Sequence, residues 1–436
     1  MHRIVSRLLL FGDLGRDSIL VRLADIFRDW EEAACPKETL IRRTYDEVKR
    51  LLDLGTLYGF DENLWHNYLT FLLMTNENSF TLTSERLGAS EGSVNLFALQ
   101  DFALFGRLFA FDFAPFEESL GIDCFRVLTH YRAIPKRERL YYRSVSERVR
   151  RLSRELESAK TAEEMFSLMT AHYREWGVGM FGLNRAFRLQ EDASGWGLVP
   201  INNTDAVRLS DLVGYELQKQ QLRENTEAFL EGRSCNNMLL YGDAGTGKST
   251  SVKALLNEYG DRGLRMIELY KHQFDRLSEV IARVKVRNYR FMIFIDDLSF
   301  EEHEVEYKFL KAVIEGGVET RPDNVLICAT SNRRHLIRET WSDRNDMEFQ
   351  NDLHRSDTME EKLSLAARFG CSVCFSTPDR QQYRDIVLGI AGRTPGFEYD
   401  PEQLLYLADR WEIRHGGVSG RTAQQFINYM AGKKEE

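Results

Sequence analysis

The strongest constraint on the fold is a glycine-rich octapeptide, Gly242-Asp243-Ala244-Gly245-Thr246-Gly247-Lys248-Ser249, which fits the pattern GxxxxGK[ST] at every position. An apolar run over 238–241 precedes it, and a segment of helical spacing follows it. Glycines let the backbone wrap closely and turn its N–H groups inward, and the N-terminus of the following helix adds positive potential. The pattern therefore predicts a phosphate-binding loop between a strand and a helix. A glycine-rich turn without a ligand is the alternative, and this strand–helix context disfavours it.

The chemistry of such a loop assigns its side chains. Lys248 is expected to place a mobile positive charge on the β- and γ-phosphates of a nucleotide, and Ser249 to offer a hydroxyl to Mg²⁺. The loop residues expected to contact the nucleotide are Gly242, Asp243, Ala244, Gly245, Thr246, Gly247, Lys248, Ser249 and Thr250.

After residue 204 apolar runs alternate with helical patterns, which indicates a parallel sheet covered on both faces. The predicted strands are 237–241, 264–269, 291–295, 325–329 and 371–375, and the predicted helices are 248–259, 277–286, 305–315 and 360–368. The first 200 residues have mainly helical spacing, and the glycine-rich stretch 177–197 resembles a boundary. We therefore expect an α/β protein with a mainly helical N-terminal domain (1–203), an α/β domain (204–378) and a small helical module (379–436).

Two further strands end in polar side chains. Asp296 and Asp297 follow the apolar run 291–295, and Asn332 follows the run that starts at 325. Parallel strands share a carboxyl edge, so these groups should approach the loop. Asp296 would hold Mg²⁺, directly or through water, while Asp297 would polarise an attacking water and Asn332 would orient it. The alternatives are an acidic turn after a core strand and a polar cap for the next segment.

In this order, the loop, the Asp-Asp strand, the Ala-Thr-Ser-Asn strand and a later Arg-Phe-Gly resemble the motifs of AAA+ ATPases over about residues 205–430. Residues 209–214, 296–300 and 330–336 resemble an uncharacterised bacterial family of AAA+ ATPases known as a domain of unknown function. The Asp-Asp ending, where many AAA+ members have Asp-Glu, is similar to replication initiators and helicase loaders. The resemblance implies an AAA+ α/β/α domain, followed by a helical lid.

The same resemblance implies further site residues. Arg368 matches the arginine finger that reaches into the nucleotide of a neighbouring subunit, and Arg421 matches the second sensor on the lid. The segment with Val213 and Gly214 resembles the one that cups the adenine. A surface salt bridge is the alternative role for each arginine.

The composition limits the partners. Lys and Arg total 58 against 67 Asp and Glu, a net charge of −9, so the chain as a whole does not coat polyanions. The stretch 126–154 differs, with ten Lys or Arg against two Glu. A solvated basic face is the favoured interpretation of this stretch. A docking patch for nucleic acid, anionic lipid or an acidic partner is the other.

Location follows from the same composition. The six scattered cysteines suit a reducing cytosol, and Cys371 and Cys374 form a CxxC that is better explained as a buried strand than as a metal or redox site. No stretch supplies the roughly 20 apolar residues of a spanning helix. We expect a cytoplasmic protein without a membrane span. The polar run 341–358 is expected to be a mobile loop or a client-contacting insertion.

The function expected from these observations is hydrolysis of ATP with Mg²⁺, coupled to remodelling of a macromolecular client. The resemblance implies a homo-oligomeric ring, with a hexamer among its forms, in which Arg368 acts on the neighbouring subunit. An ATP-controlled switch or loader with little turnover, linked to nucleic acid through 126–154, is the alternative. A small-molecule kinase is disfavoured, because the lid and the Arg-Phe-Gly segment have no role there.

Overall fold

The structure is a computed structural model that describes residues 1–134, 143–192, 195–201, 204–300, 304, 306–315, 322–332, 336 and 365–433. The chain divides into two compact units, Met1–Asn184 and Arg185–Glu436. Each unit has a hydrophobic core of its own.

The first unit is helical throughout its described part. Its helices are α1 (His2–Val5), α2 (Ile19–Glu31), α3 (Lys37–Tyr58), α4 (Leu64–Thr75), α5 (Ser79–Leu87), α6 (Val94–Phe109), α7 (Ala114–Leu120), α8 (Cys124–Thr129), α9 (Arg143–Ser158), α10 (Ala162–Trp176) and α11 (Gly179–Leu183). Apolar side chains at helical spacing, such as Leu20, Leu23 and Phe27 of α2, are buried in one core. The helical spacing of apolar residues in the sequence is therefore the spacing that places them together on the buried face of each helix.

The second unit contains, within the described residues, a sheet of seven strands. They are β1 (Ala186–Asp192), β2 (Gly195–Pro200), β3 (Met238–Gly242), β4 (Leu264–Glu268), β5 (Arg290–Ile295), β6 (Val325–Ser331) and β7 (Cys371–Phe375), in the order β2-β1-β4-β5-β6-β3-β7. Neighbouring strands are parallel except β1 and β2, which pair antiparallel. The central strands are buried on both faces, as their continuous apolar sequences require.

Helices of this unit connect or cover the strands. They are α12 (Glu216–Leu230), α13 (Lys248–Tyr259), α14 (Leu277–Val284) and α15 (Tyr307–Glu315), followed after β7 by α16 (Arg380–Arg393), α17 (Pro401–Arg414) and α18 (Gly420–Gly432). The last three share a small core that includes Tyr383, Val387, Leu404 and Phe426. We call α16–α18 the lid. The predicted fold class, an AAA+ α/β/α sheet domain with a helical lid after a helical N-terminal region, is confirmed.

The topology brings three chain segments to one edge of the sheet. β6 lies between β5 and β3, and all three run parallel. The segments that follow these strands therefore meet at the same carboxyl edge. The loop after β3 lies beside Asn332, which follows β6, and Asp296, which follows β5, lies on the other side of Asn332. The five predicted strands are present, with ends that shift by a residue or two.

One feature of the fold differs from the sequence expectation. Residues 186–200 form the hairpin β1–β2 of the sheet, whereas the prediction placed them in the helical domain 1–203. Phe187 and Leu189 are buried and alternate with exposed Arg188 and Gln190, which is the period of a strand. The division between units lies between Asn184 and Arg185, before this hairpin.

Several predictions lie wholly or partly outside the described residues. They are the run 341–358, residues 360–364 of the helix predicted over 360–368, residue 305 of the helix predicted over 305–315, residues 333–335 of the segment 330–336, and residues 135–142 of the basic stretch. In the part of the chain that is described, no single helix is long and apolar enough to cross a membrane, and only α6 and α7, which meet at a 48° bend, pass that test as a pair.

Candidate active site

The glycine-rich loop begins where β3 lies against the end of β7. Gly242 has φ +129°, and a Cβ at this position would lie 2.1 Å from the carbonyl oxygen of Phe375. The N–H of Asp243 donates to the same oxygen at 3.0 Å. The first glycine of the motif is therefore required both by its backbone conformation and by this close approach.

Lys248 is the first residue of α13, and its side chain folds back over the loop. Only 6% of its surface is exposed, and its Nζ donates to the carbonyl oxygens of Gly242 (2.9 Å) and Asp243 (2.6 Å) and to Oδ1 of Asn332 (3.0 Å). Burial lowers the pKa of Lys248, against the opposing influence of nearby carboxylates such as Asp297. The ammonium is thus held by oxygen acceptors alone, and phosphate oxygens are acceptors of the same kind.

Ser249 and Asp296 form a pair of oxygen ligands beside this lysine. The hydroxyl of Ser249 donates to Oδ1 of Asp296 at 2.5 Å, and the hydroxyl of Thr330 donates to the same oxygen at 2.6 Å. Magnesium prefers oxygen ligands and commonly takes only one or two from a protein, with water and substrate phosphates completing its shell. The pair fits such an ion. Among the described residues, no cluster of three or more His, Cys, Asp or Glu suits a metal.

Asp297 is fixed in an unusual conformation next to this pair. Its φ is +52°, in the left-handed region that non-glycine residues rarely adopt. Its N–H donates to the hydroxyl of Thr330 at 3.0 Å, and its Oδ1 accepts a bond from the amide of Asn332 at 2.8 Å. Backbone strain of this kind persists only where surrounding bonds impose it, as those from Thr330 and Asn332 do here.

These groups line a cleft of about 830 Å³ in the second unit. Its polar end is formed by the loop and by the residues after β5 and β6, and its apolar end includes Val207 and Val213 together with Ile386 and Ile390 of the lid helix α16. A cleft of this size is large enough for a nucleotide, and its two ends differ in polarity as the two parts of such a ligand do.

A buried lysine shapes the apolar end. Lys219, in the first turn of α12, is 4% exposed, and its Nζ donates to the carbonyl oxygen of Leu212 and, at 2.8 Å, to Glu216. Val213, the residue after Leu212, packs against the core of the lid. By holding Leu212, Lys219 therefore fixes the part of the cleft wall that contacts the lid.

The family model described as "Protein of unknown function (DUF815)" matches residues 183–434, more than half of the chain. The chain belongs to this family. Its P-loop, parallel sheet and lid are those of an AAA+ P-loop nucleotide-binding ATPase, as the sequence resemblance predicts.

Two other comparisons found partial similarity. The replication factor C large subunit of Staphylothermus marinus is 35% identical over 74 residues, and this match spans 17% of the DUF815 chain and 17% of that relative's length. Two structures of RuvB from Thermotoga maritima, one of a mutant and one described as a Holliday junction branch migration motor, match with TM-scores of 0.31 and 13% identity. Each covers 52% of this chain, and the matches span 75% and 74% of theirs.

The DUF815 chain brings most of the predicted site residues together. The cleft wall contains Val213, Gly245, Thr246, Gly247, Lys248, Ser249, Thr250, Asp296, Asp297, Asn332 and Arg421. Gly214, Gly242, Asp243 and Ala244 are not part of this wall. Gly214 and Ala244 are next to wall residues in the chain, and the carbonyl oxygens of Gly242 and Asp243 accept bonds from Lys248. Asp243 differs most from the expectation, because its N–H is bonded to Phe375 and its carboxylate to Thr377.

The two predicted arginines occupy different places. Arg421, near the N-terminus of α18, lines the cleft, and its N–H donates to the carbonyl oxygen of Gly245 at 3.2 Å. Arg368 lies just before β7, at the amino end of that strand, whereas the cleft lies at the carboxyl edge of the sheet. Arg368 is not among the residues that line the cleft of its own chain.

Sequence reasoning missed two cationic side chains of the cleft. Arg393 ends α16 and lines the cleft from the lid, and Lys219 lies in its wall. No motif marks either residue. The one available signal was the position of Arg393 in the last turn of a helix after the sheet. This signal does not distinguish an arginine that binds a ligand from one that only interacts favourably with the helix dipole.

Proposed function

We propose that the chain binds ATP with Mg²⁺ in this cleft and hydrolyses it to ADP and phosphate. The observation that carries the proposal is that three groups converge at one edge of one sheet. They are the buried ammonium of Lys248, the oxygen pair of Ser249 and Asp296, and the carboxylate of Asp297, which the amide of Asn332 holds. Each of these groups has a distinct role in phosphoryl transfer.

The roles follow from the bonds that each group already makes. Lys248 would exchange its bonds to loop carbonyls for bonds to the β- and γ-phosphates. Mg²⁺ held by Ser249 and Asp296 would neutralise charge on the phosphate oxygens. Asp297 would accept a proton from the attacking water, whose oxygen bonds to the γ-phosphorus as the bond to the bridging oxygen breaks. The amide of Asn332 would keep that carboxylate aimed at the water.

We propose that Arg368 acts as an arginine finger in the site of a neighbouring subunit. β7 has five residues, so the Cα atoms at its two ends are about 13 Å apart at roughly 3.3 Å per residue. Since Arg368 precedes the amino end of β7 and the loop lies at the carboxyl end, the guanidinium would complete the site of a neighbouring copy rather than its own. A homo-oligomeric ring, for which a hexamer is one candidate, provides that arrangement. Its hydrolysis cycle would move a macromolecular client.

One sequence feature favours a second candidate, an ATP-controlled switch or loader with little turnover. Asp297 stands where many AAA+ proteins have the longer glutamate, and its carboxylate is already bonded to Asn332. A shorter acid that is tethered in this way has less reach toward water. The switch therefore predicts ATP binding with very slow phosphate release.

Phosphate release by wild type, Lys248→Ala and Arg368→Ala proteins tests both candidates. An ATPase completed between subunits should lose turnover in each variant, while a mixture of the two should regain part of it. The reason is that Lys248→Ala subunits still offer Arg368 to the intact loops of the other variant. Lys308→Ala, on the exposed face of α15, is the control and should release phosphate at the wild-type rate.

The outcomes separate the candidates. Wild-type protein that binds ATP but releases almost no phosphate would support the switch, and protein that binds no ATP would contradict both. A mixture without recovery would contradict the role of Arg368 between subunits.

The second candidate includes a nucleic-acid client bound through the basic stretch 126–154. In the described part of this stretch, one arginine is already bonded within the fold, which leaves fewer cations for such a client. Arg148 donates to the carbonyl oxygens of Gly182 and Leu183, and Arg151 lies 4.0 Å from Glu155. Arg148 therefore has a structural role within the first unit, whereas the side chain of Arg151 is mostly exposed. Binding to single- or double-stranded DNA that weakens steeply with salt would support the nucleic-acid client, and no binding at low salt would remove it. A pull-down with an Asp297→Asn variant, which should hold the ATP state, would identify a protein client.

A further inference from the structure

Asp243, the second residue of the phosphate-binding loop, contacts the connection to the lid instead of the cleft. Its Oδ2 accepts bonds from the N–H of Thr377 at 2.8 Å and from the hydroxyl of Thr377 at 2.6 Å. These two bonds hold the pKa of Asp243 below its ordinary value, so the carboxylate is charged at neutral pH. The GxxxxGK[ST] pattern allows any residue at this position, and the loop alone therefore does not explain an aspartate here.

Thr377 lies in the short connection between β7, which ends at Phe375, and α16, which begins at Arg380. Both sides of this connection are anchored. The hydroxyl of Tyr215 donates to the carbonyl oxygen of Ser376 at 2.7 Å, and the carboxylate of Asp379 caps α16 by accepting the N–H of Gln382 at 2.8 Å. Thr377 therefore lies three residues before the first helix of the lid, in a connection that is anchored on both sides.

The backbone of Asp243 holds the other end of this link. Its carbonyl oxygen accepts the Nζ of Lys248 at 2.6 Å and the hydroxyl of Thr246 at 2.8 Å. Asp243 thus joins the loop lysine, through its carbonyl, to the lid connection, through its carboxylate. The lid meets the loop at a second point, where the N–H of Arg421 donates to Gly245.

We propose that Asp243 is a positioning residue that couples phosphate occupancy of the loop to the orientation of the lid through Thr377. When Lys248 turns from the carbonyl of Asp243 toward a phosphate, the peptide of Asp243 loses a charged partner. Its carboxylate transmits the adjustment to Thr377 and hence to α16. The inference rests on the proposed function, because it needs a nucleoside triphosphate in the cleft.

Thr377 offers a matched pair of variants for the test. Thr377→Ser retains both donors, whereas Thr377→Val retains the N–H but loses the hydroxyl. Asp243→Ala removes the acceptor of both bonds. Amide hydrogen exchange is followed for peptides of the loop and of α16 and α18, with and without a non-hydrolysable ATP analogue and Mg²⁺. The dissociation rate of a fluorescent ADP is measured in parallel, and thermal unfolding without nucleotide verifies that each variant is folded.

In wild type and Thr377→Ser the analogue should slow exchange in the loop and in the lid. In Thr377→Val and Asp243→Ala it should still slow exchange in the loop, while the response of the lid falls. ADP should dissociate about threefold faster from Thr377→Val and about tenfold faster from Asp243→Ala, in keeping with loss of one or both hydrogen bonds at a solvent-exposed site. The double variant with Asp243→Ala and Thr377→Val should release ADP at the same rate as Asp243→Ala alone, since the two changes remove the same contact.

Each failure has its own meaning. A wild-type loop that gains no protection from the analogue would overturn the proposed function together with this inference. A protected loop, with a lid response in Thr377→Val equal to that of Thr377→Ser, would overturn the inference alone. If Asp243→Ala does not fold, the two Thr377 variants decide the question without it.

Discussion

Replacement of Gly242 by alanine tests whether contact with β7 fixes the start of the phosphate-binding loop. The new Cβ would lie 2.1 Å from the carbonyl oxygen and 2.8 Å from the carbonyl carbon of Phe375, both of them backbone atoms in a paired strand. Neither atom can move without displacement of β3 from β7. Gly263 provides a matched control, because it also has positive φ (+92°) but no atom within 4 Å of an added Cβ.

The two substitutions separate backbone strain from steric overlap. At Gly263 alanine meets only the left-handed backbone penalty, about 1–2 kcal/mol. At Gly242 strain of about 1–3 kcal/mol combines with an overpacking cost of about 1–3 kcal/mol, so that the total reaches roughly 2–6 kcal/mol. The Gly242→Ala variant should therefore be less stable than Gly263→Ala by about 1–4 kcal/mol.

Hydrogen exchange resolved by peptide measures this difference where it arises. Amides of β3 and β7 should exchange faster in Gly242→Ala than in Gly263→Ala, by roughly tenfold for each 1.4 kcal/mol when reclosing is fast compared with chemical exchange. Peptides of the first unit serve as an internal control and should not change in either variant. ATP affinity should fall in Gly242→Ala only, because the loop begins at this residue.

Equal protection of β3 and β7 in the two variants would refute the reasoning. The requirement for glycine at position 242 would then come from backbone conformation alone, and the contact with Phe375 would not position the loop.

Two further predictions concern other parts of the chain. Burial lowers the pKa of His172 to about 3, so the first unit should lose stability as the pH falls from about 6.5 toward 3, by at most about 1.4 kcal/mol per pH unit; His172→Gln should flatten this slope in urea titrations at several pH values, and an unchanged slope would assign it to other groups. Arg393 lines the cleft, so Arg393→Ala should raise the Kd for ATP about two- to fivefold and reduce its salt dependence. Arg380→Ala, at the exposed start of the same helix, is its control, and equal affinities of the two variants would exclude Arg393 from the site.

The parts of the fold that the sequence predicts are those with local causes. The strand before the loop and the helix after it are encoded by neighbouring residues, and α13 has the predicted bounds Lys248–Tyr259. The hairpin β1–β2 was missed because its alternating segment is short and interrupted by glycines, while its stability comes from pairing with β4, about 80 residues later in the chain. The local sequence of the hairpin carries no signal for a partner that distant, and the short alternation alone does not predict a strand.

The site divides in the same way. Lys248 and Ser249 could be predicted because the loop motif fixes their spacing, and Asn332 because strand topology brings it to the same edge. Lys219 and Thr377 could not be, since each acts through a contact with a distant segment: Lys219 with Leu212, and Thr377 with Asp243. The sequence shows the residue types but not these pairings.

The bonds among the site residues determine what phosphate binding must change. Asn332 accepts a bond from Lys248 through its oxygen and donates one to Asp297 through its amide nitrogen, so one side chain joins the loop lysine to the carboxylate that we propose as the base. A phosphate that draws Lys248 away from Asn332 would free the oxygen of this side chain but not its amide nitrogen, which stays bonded to Asp297. The left-handed backbone of Asp297 is further held by its N–H bond to Thr330, whose hydroxyl also donates to Asp296. On the proposed function, phosphate binding would therefore reorganise the lysine while Asp296 and Asp297 keep their geometry, so that the carboxylates would be positioned before ATP arrives.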